Sequence, residues 1–228
     1  MTASRQIPIE FPVRTALGVD DFMVAECNEE SIAWLDKWPD WPMPALCLYG
    51  PGGSGKTHLL HIWCETSKAD NIDGRDLTTD IVPVLLESGH GLAVDNAENC
   101  PEDSLFHLYN LAKETNQKLL LASKQAPAHW NIGLKDLASR LRACPSVGLR
   151  YPDEDMLAAL MMKQFQDRNL RLSPEILAYV LPRLERSFEA VRQFVTLMDL
   201  ESLAERRKLT VPFASRIMDQ MEKNKDGR

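Results

Sequence analysis

The segment Gly-Pro-Gly-Gly-Ser-Gly-Lys-Thr at 50–57 constrains the fold of this chain more than any other feature of its sequence. It satisfies the pattern Gly-x-x-x-x-Gly-Lys-Thr in full. An apolar run at 45–49 precedes it, and a helix-like apolar pattern at 59–63 follows it. A strand, a glycine-rich turn and a helix in this order predict a loop whose backbone N–H groups surround an anion at the positive end of the helix.

The residue types in this segment predict a site for the phosphates of a nucleotide. Lys56 is expected to reach the β- and γ-phosphates, and Thr57 is expected to hold Mg²⁺. A chance glycine-rich turn and a loop kept only for its shape are the two alternatives. The predicted phosphate-binding residues are Gly50, Pro51, Gly52, Gly53, Ser54, Gly55, Lys56 and Thr57.

Downstream of the loop, helix-like and strand-like patterns alternate. They predict helices at about 57–67, 80–88 and 102–115 and strands at 92–95 and 118–123, while residues 70–74 are expected only to end the first of these helices. This alternation predicts an α/β fold, in which a parallel sheet is flanked by helices and the loop lies at the carboxyl end of its strand.

From Pro152 onward the pattern is helical throughout. Helices are predicted at about 153–168, 174–185, 187–206 and 212–223, with Ser173 and Ser187 as N-caps. The expected division is therefore an extended tail at 1–14, an α/β nucleotide-binding domain at 15–151 and a small all-helical domain at 152–228.

Charge and composition limit the classes of function. The formal net charge of −7 disfavours a large DNA-binding surface, because such affinity depends on clustered Lys and Arg. The five scattered cysteines have no Cys-x-x-Cys spacing, so they are expected to be small buried residues. Neither a signal peptide nor a long apolar span is recognisable, and the expected location is the cytoplasm.

An acidic residue follows the predicted strand at 92–95. A loop that holds a nucleoside triphosphate needs a carboxylate to position Mg²⁺, commonly at the end of a neighbouring apolar strand. Asp95 stands at that position. Alone it would be read as a turn residue or helix cap, but together with the loop it is the predicted Mg²⁺ partner of Thr57.

The chain resembles the AAA+ family and, within it, the DnaA/Hda group that acts in the initiation of bacterial DNA replication. The resemblance covers about residues 16–222, and since the sequence ends at Arg228 after the helical region, it is expected to be one of the short members that inactivate the initiator DnaA. The segments that carry the resemblance are Gly-Lys-Thr-His-Leu-Leu-His at 55–61, Val-Asp-Asn-Ala-Glu at 94–98, Arg-Leu-Glu-Arg at 183–186 and Arg-Lys-Leu-Thr-Val-Pro-Phe at 207–213.

The resemblance implies roles for single residues. Ser123 takes the place of the polar sensor of the γ-phosphate, and Arg140 that of the arginine finger, which acts in trans on the nucleotide of a neighbouring subunit. A guanidinium suits this role because it stays charged and its planar fork matches phosphate oxygens. Further nucleotide contacts are implied for Phe22, Val24, Asn28 and His58.

Two departures from the family pattern suggest that the chain's own nucleotide, ATP or ADP, is held more than it is hydrolysed. Asn96 stands where active AAA+ hydrolases have an acidic residue, and an amide cannot act as a general base. Glu189 falls at the position of the lid arginine that senses nucleotide, which leaves Arg186 and Arg192 as open alternatives. Intrinsic hydrolysis is expected to be slow and ADP to be the preferred ligand.

The tail carries a second motif. Gln-Ile-Pro-Ile-Glu-Phe at 6–11 alternates apolar and polar residues, which by itself indicates an extended segment or an edge strand. Relatives in the resembled family carry a Gln-Leu-x-Leu-type peptide here that binds the β sliding clamp. Gln6, Ile7, Ile9 and Phe11 match that peptide, so the clamp is an expected partner.

The leading hypothesis is a regulator that is tethered to the DNA-loaded clamp and stimulates ATP hydrolysis by the initiator DnaA through Arg140. The protein would then contact DNA only through the clamp. It could also associate with a second copy of itself as a homodimer. The alternatives are an autonomous P-loop ATPase and a DnaA-like loader or recruitment adaptor without finger action.

Overall fold

The structure of the chain, a computed structural model, describes residues 24–205 and 208–226. The described residues divide into two compact units, and the boundary in the sequence lies between Arg150 and Tyr151. No helix in these ranges is long and apolar enough to cross a membrane.

The first unit is an α/β layer structure around a five-stranded parallel sheet in the order β2-β3-β4-β1-β5. Helices alternate with the strands along the chain, as the sequence predicts. The elements are α1 (Glu29–Leu35), β1 (Ala45–Tyr49), α2 (Lys56–Ser67), β2 (Asp70–Asp73), α3 (Val82–Leu85), β3 (Leu92–Asp95), α4 (Glu102–Glu114), β4 (Leu119–Ser123), α5 (Lys135–Ala143) and β5 (Ser146–Gly148).

The two faces of the sheet have separate cores because successive strand residues point to opposite sides. Leu46 and Leu48 of β1 pack with α1 and α2, where Trp63 stacks on Trp41 at a ring-centroid distance of 5.7 Å. Ala45 and Cys47 face the other side and pack with α3, α4 and α5. A sheet covered on both faces explains why β4 is buried along its whole length and apolar from Leu119 to Ala122.

β2 corrects the sequence-based expectation for residues 70–74, which the structure folds as an edge strand rather than as a simple helix end. The sequence of this strand, Asp-Asn-Ile-Asp, lacks the apolar pattern that identifies strands, because an edge strand is only partly covered. The strand is held in place by its parallel pairing with β3 rather than by an apolar pattern of its own.

The second unit is helical, as predicted, and consists of α6 (Glu154–Asp167), α7 (Pro174–Val180), α8 (Phe188–Glu205) and α9 (Val211–Asp226). Asp153 and Ser173 cap α6 and α7, since their side chains accept hydrogen bonds from Met156 N and Ile176 N. α7 ends at Val180, five residues before its predicted end. Apolar side chains of all four helices, including Phe165 and Phe194, form one core.

Candidate functional site

The phosphate loop joins β1 to α2, and its glycines stand where the backbone needs them. Gly53 and Gly55 have φ values of 74° and 97°, in the left-handed region that favours glycine, and Gly55 is the N-cap of α2. At Gly50 a Cβ atom would lie 2.5 Å from the carbonyl oxygen of Leu149. The left-handed backbone at Gly53 and Gly55 and the lack of space for a side chain at Gly50 make this loop a tight turn. The turn leads directly into the first turn of a helix, which is the arrangement found in anion-binding sites.

Lys56 lies over this loop. Its Nζ donates hydrogen bonds to the carbonyl oxygens of Gly50 and Pro51, each at 2.8 Å. Burial lowers the pKa of Lys56 from its ordinary value, and the charges of Asp95 and Glu98 oppose that shift. The ammonium group is thus held at the mouth of the loop, where it would meet the phosphates of a nucleotide.

Ser54 provides a test of whether the loop fits such a ligand. Its hydroxyl oxygen is buried and has no hydrogen-bond partner among the residues that the structure describes. Buried polar atoms are nearly always paired, so an unpaired hydroxyl inside a glycine-rich loop indicates a partner that arrives with a ligand. The loop therefore fits a nucleotide phosphate.

Thr57 and Asp95, the predicted Mg²⁺ ligands, lie side by side. The Thr57 hydroxyl donates to Asp95 Oδ2 at 2.7 Å, and Asp95 Oδ1 accepts from the backbone N–H of Asn96 at 2.8 Å. A hydroxyl and a carboxylate are hard oxygen ligands of the kind that Mg²⁺ prefers. α2 and β3 thus bring the pair together from positions 38 residues apart, and the pair would bind Mg²⁺ beside the phosphates.

Asn96 adopts a left-handed conformation at φ 52° and turns its side chain toward β2. Its Nδ2 donates to Asp73 Oδ2 at 2.8 Å. Asp73 also accepts two hydrogen bonds from the Arg75 side chain, which hold the pKa of its carboxyl far below the usual range. Within the described residues, the amide nitrogen of Asn96 is thus engaged with the end of β2.

Ser123 reaches the loop through its backbone rather than its side chain. Its carbonyl oxygen accepts a hydrogen bond from Gly50 N at 3.2 Å, while its buried hydroxyl donates to the carbonyl oxygen of Gln125 at 2.7 Å. The predicted sensor residue thus lies at the carboxyl end of β4, and its hydroxyl is hydrogen-bonded to the backbone of the segment that follows β4.

Of the further nucleotide contacts that the resemblance implies, Val24 belongs to the core under α1 and α2. Asn28 is buried, and its Oδ1 accepts from Ala25 N at 2.9 Å in the turn before α1. His58 lies half-buried in the first turn of α2. Phe22 lies outside the described residues, as do the predicted clamp-binding residues Gln6, Ile7, Ile9 and Phe11.

Arg140 is held at the surface between α4 and α5. Its guanidinium donates two hydrogen bonds to Asp136, at 2.7 and 3.1 Å, and one to Asn110 Oδ1. It also lies over the rings of Phe106 and Tyr109, at 5.2 and 5.8 Å from their centroids. The Arg140 side chain remains 31 % exposed, so this cation is fixed in place and still reachable by another molecule.

The two arginines proposed for the lid sensor are both exposed. Arg186 lies between α7 and α8, and Arg192 lies on α8 with its Nε 4.0 Å from Glu189 Oε2. The side chain of Glu189, which the resemblance places at the sensor position, also accepts a hydrogen bond from Gln193. Arg192 is thus a cation close to this glutamate on the same helix.

Glu98 and Asn110 are the residues of interest that the sequence did not single out. Glu98 faces the end of β4, where its Oε1 accepts from Lys124 N at 3.1 Å. An acidic residue three positions after Asp95, the predicted Mg²⁺ ligand, was the available signal for Glu98. Asn110 gave no signal, because its contact with Arg140 joins positions 30 residues apart.

Comparisons with known proteins agree with this architecture. Residues 153–218 match the family model described as "Hda, lid domain". Domain III of the replication initiation protein DnaA from Thermotoga maritima superposes with a TM-score of 0.76 at 18 % identity, and the match covers 92 % of this chain and 98 % of that chain.

Two further structures extend the comparison. AMPPCP-bound DnaA from Aquifex aeolicus matches with a TM-score of 0.68 at 18 % identity, over 90 % of this chain and 68 % of that one. A RuvB variant from Thermotoga maritima matches with a TM-score of 0.70 at 15 % identity, over 92 % of this chain and 73 % of that one. These similarities confirm the predicted AAA+ α/β fold followed by a helical lid domain.

Proposed function

We propose that this DnaA-homologous, Hda-like AAA+ protein binds an adenine nucleotide with Mg²⁺ and stimulates ATP hydrolysis on the replication initiator DnaA. In this proposal Arg140 is the arginine finger, and the β sliding clamp tethers the protein through residues 6–11. The result is negative regulation of replication initiation, because the initiator is converted to its ADP form. The observation that carries the proposal is the match of residues 153–218 to the Hda lid domain.

The setting of Arg140 supports its assignment as the finger. An arginine finger stabilises the charge that develops on the transferred phosphoryl group and accelerates hydrolysis about 10³- to 10⁵-fold. It acts best when its position is fixed before the partner binds, since no reorganisation is then needed. The hydrogen bonds from Arg140 to Asp136 and Asn110 provide this preorganisation.

The chain's own nucleotide serves chiefly as a structural and regulatory ligand in this proposal. Nucleotide phosphates at Lys56 and Mg²⁺ at Thr57 and Asp95 would order the loop between β1 and α2. The bound metal would supply charge neutralisation for the phosphates. Asn96, engaged with Asp73, offers no general base beside this site.

Clamp binding by the tail rests on its sequence. A glutamine would satisfy polar groups at the rim of a pocket on the clamp, while Ile7, Ile9 and Phe11 fill an apolar groove. A short peptide that becomes ordered on binding loses conformational entropy, so an affinity of micromolar order is expected.

Two other functions use the same fold. An autonomous ATPase is favoured by the Thr57–Asp95 pair, which is assembled without a partner. Rapid ATP turnover by the purified protein would support that reading. A loader or recruitment adaptor would instead be supported by clamp or duplex binding combined with unchanged stimulation after replacement of Arg140.

The test is an assay of initiator ATP hydrolysis with this protein, in the presence and absence of DNA-loaded clamp. We expect Arg140→Ala to lower the stimulated rate by at least about a hundredfold, given the usual contribution of a finger. Arg142→Ala is the matched control, because Arg142 is an exposed arginine on the same helix. Equal stimulation by the two variants would contradict the proposal.

A further inference from the structure

The side chains of Asn96 and Glu98, which follow β3, reach opposite neighbours of that strand. Asn96 donates to Asp73 at the end of β2, at 2.8 Å. Glu98 accepts from the backbone N–H of Lys124 just after β4, at 3.1 Å. Because β2 and β4 flank β3 in the sheet, the residue at the usual position of the catalytic acid is directed away from β4, and Glu98 is directed toward it.

The side chain of Glu98 is directed toward the part of the sheet that carries the phosphate loop. β4 lies between β3 and β1, and the loop begins directly after β1. Ser123, the residue before Lys124, accepts a hydrogen bond from Gly50 N of the loop. The negative charge of Glu98 also acts on Lys56, whose pKa it raises against the effect of burial. Glu98 therefore belongs to the same electrostatic site as the loop lysine.

One oxygen of Glu98 is left without a partner. Oε2 is buried and makes no hydrogen bond within the described residues, while Oε1 is fixed on Lys124 N. A buried carboxylate oxygen without a donor costs free energy, so such atoms are rare in folded proteins unless they serve a ligand or a reaction. Glu98 Oε2 belongs to a side chain held at the end of β4, the strand next to the one that precedes the phosphate loop. The hydrogen-bond donor best suited to it is a water molecule beside the γ-phosphate of a bound nucleotide.

We propose that Glu98 takes over the role of the acid missing at Asn96, orienting the attacking water in a slow hydrolysis of this chain's own ATP. The water oxygen forms a bond to the γ-phosphorus, and the bond from that phosphorus to the β–γ bridging oxygen breaks with its electron pair leaving on ADP. The water proton passes to the Glu98 carboxylate and from there to solvent. This inference requires the proposed nucleotide binding but not the finger action of Arg140.

The same position makes Glu98 a determinant of nucleotide preference. In this proposal its negative charge would face the γ-phosphate of a bound ATP, whereas ADP has no phosphate there. Repulsion between like charges would weaken ATP binding relative to ADP, which gives a physical basis for the expected preference for ADP.

The variant that tests this proposal is Glu98→Gln, which keeps the size of the side chain and removes its charge. Glu87→Gln is the matched control, because Glu87 is exposed and lies after α3, outside the loop and its neighbours. Single-turnover hydrolysis of Mg²⁺·ATP is measured on the full chain alone, and binding of ADP and of a non-hydrolysable ATP analogue is measured by calorimetry.

We expect Glu98→Gln to lower the hydrolysis rate by about a hundredfold, the usual contribution of a general base. ADP affinity should stay unchanged, and affinity for the ATP analogue should rise about fivefold, since a nearby like charge has been removed. Glu87→Gln should alter none of these values.

A Glu98→Gln rate within twofold of wild type would overturn the proposal, and so would wild-type hydrolysis no faster than the spontaneous reaction. Loss of ADP binding in Glu98→Gln would assign the residue a structural role instead. Failure of the wild-type protein to bind ADP would refute the proposed nucleotide site itself. Loss of initiator stimulation on replacing Arg140 is measured separately and does not depend on these results.

Discussion

Gly50 offers a direct test of how the phosphate loop is built. A Cβ atom added at Gly50 would lie 2.5 Å from Leu149 O and 3.1 Å from Ser54 Oγ, whereas ordinary van der Waals contact begins near 3.4 Å. Leu149 cannot easily move, because its N–H donates to Tyr49 O at 2.7 Å. In Gly50→Ala the loop must therefore shift by about 0.9 Å away from β5, judged from ordinary contact distances.

This displacement of the loop in Gly50→Ala determines the expected changes in stability and in ADP affinity. Overpacking of a well-packed site costs about 1–3 kcal/mol, so we expect the free energy of unfolding of the nucleotide-free protein to fall by about 2 kcal/mol. Displaced backbone N–H groups also lose charge-assisted hydrogen bonds to phosphate. One such bond is worth about 1.5 kcal/mol or more, which corresponds to at least about a tenfold loss of ADP affinity.

Urea-induced unfolding and ADP titration by calorimetry measure these two effects. Gly52→Ala is the control for stability, because a Cβ atom at Gly52 meets no atom within 4 Å. We expect its free energy of unfolding to stay within about 1 kcal/mol of wild type. If Gly50→Ala unfolds at the same urea concentration as Gly52→Ala and binds ADP like wild type, the described packing of the loop against Leu149 is wrong.

The contacts at the loop and at Arg140 predict three other outcomes. Asp95→Asn removes the charge beside Thr57, so ADP affinity measured with Mg²⁺ should fall about tenfold while affinity measured in EDTA changes little. Asn110→Ala removes one hydrogen bond to Arg140, and stimulation of the initiator should fall about threefold to tenfold with ADP binding unchanged, since a single bond is worth about 1 kcal/mol; full stimulation would show that Asn110 does not position the finger. Because burial lowers the pKa of Lys56, ADP affinity should decline with rising pH before an ordinary lysine would lose its proton. The nucleotide-free protein should gain stability as the pH rises from the lowered folded pKa toward the pKa of the unfolded chain, because a lysine with a lowered folded pKa destabilises the fold while it is protonated; an ADP affinity that falls only where an ordinary lysine titrates would contradict the described burial.

The sequence predicted the elements whose signals are local. Glycine spacing between an apolar run and a helix pattern identified the loop, β1 and α2, and the run of apolar residues at 119–122 identified a central strand. β2 was missed because the polar residues of an edge strand carry no such pattern, and its order comes from pairing with β3. The early end of α7 had a local signal that the prediction missed, because Pro182 has no N–H with which to continue the helix and disfavours helical backbone at Leu181.

The site was predictable to a smaller extent. Lys56 and Thr57 could be named from the glycine spacing of the loop, and Asp95 from its position at the end of a neighbouring apolar strand. The directions of Asn96 and Glu98 could not, since they depend on which strand each side chain meets. For the same reason the pairing of Arg140 with Asn110, across 30 residues, is visible only in the folded chain.

In the proposed function, Arg140 acts on ATP that is bound to another protein. The most direct measurement is the rate of ATP hydrolysis by the initiator DnaA with DNA-loaded clamp and either Arg140→Ala or Arg142→Ala. We expect Arg142→Ala to stimulate like wild type, and Arg140→Ala to bind ADP normally but leave the initiator near its basal rate. Wild-type stimulation by Arg140→Ala would contradict the proposed function.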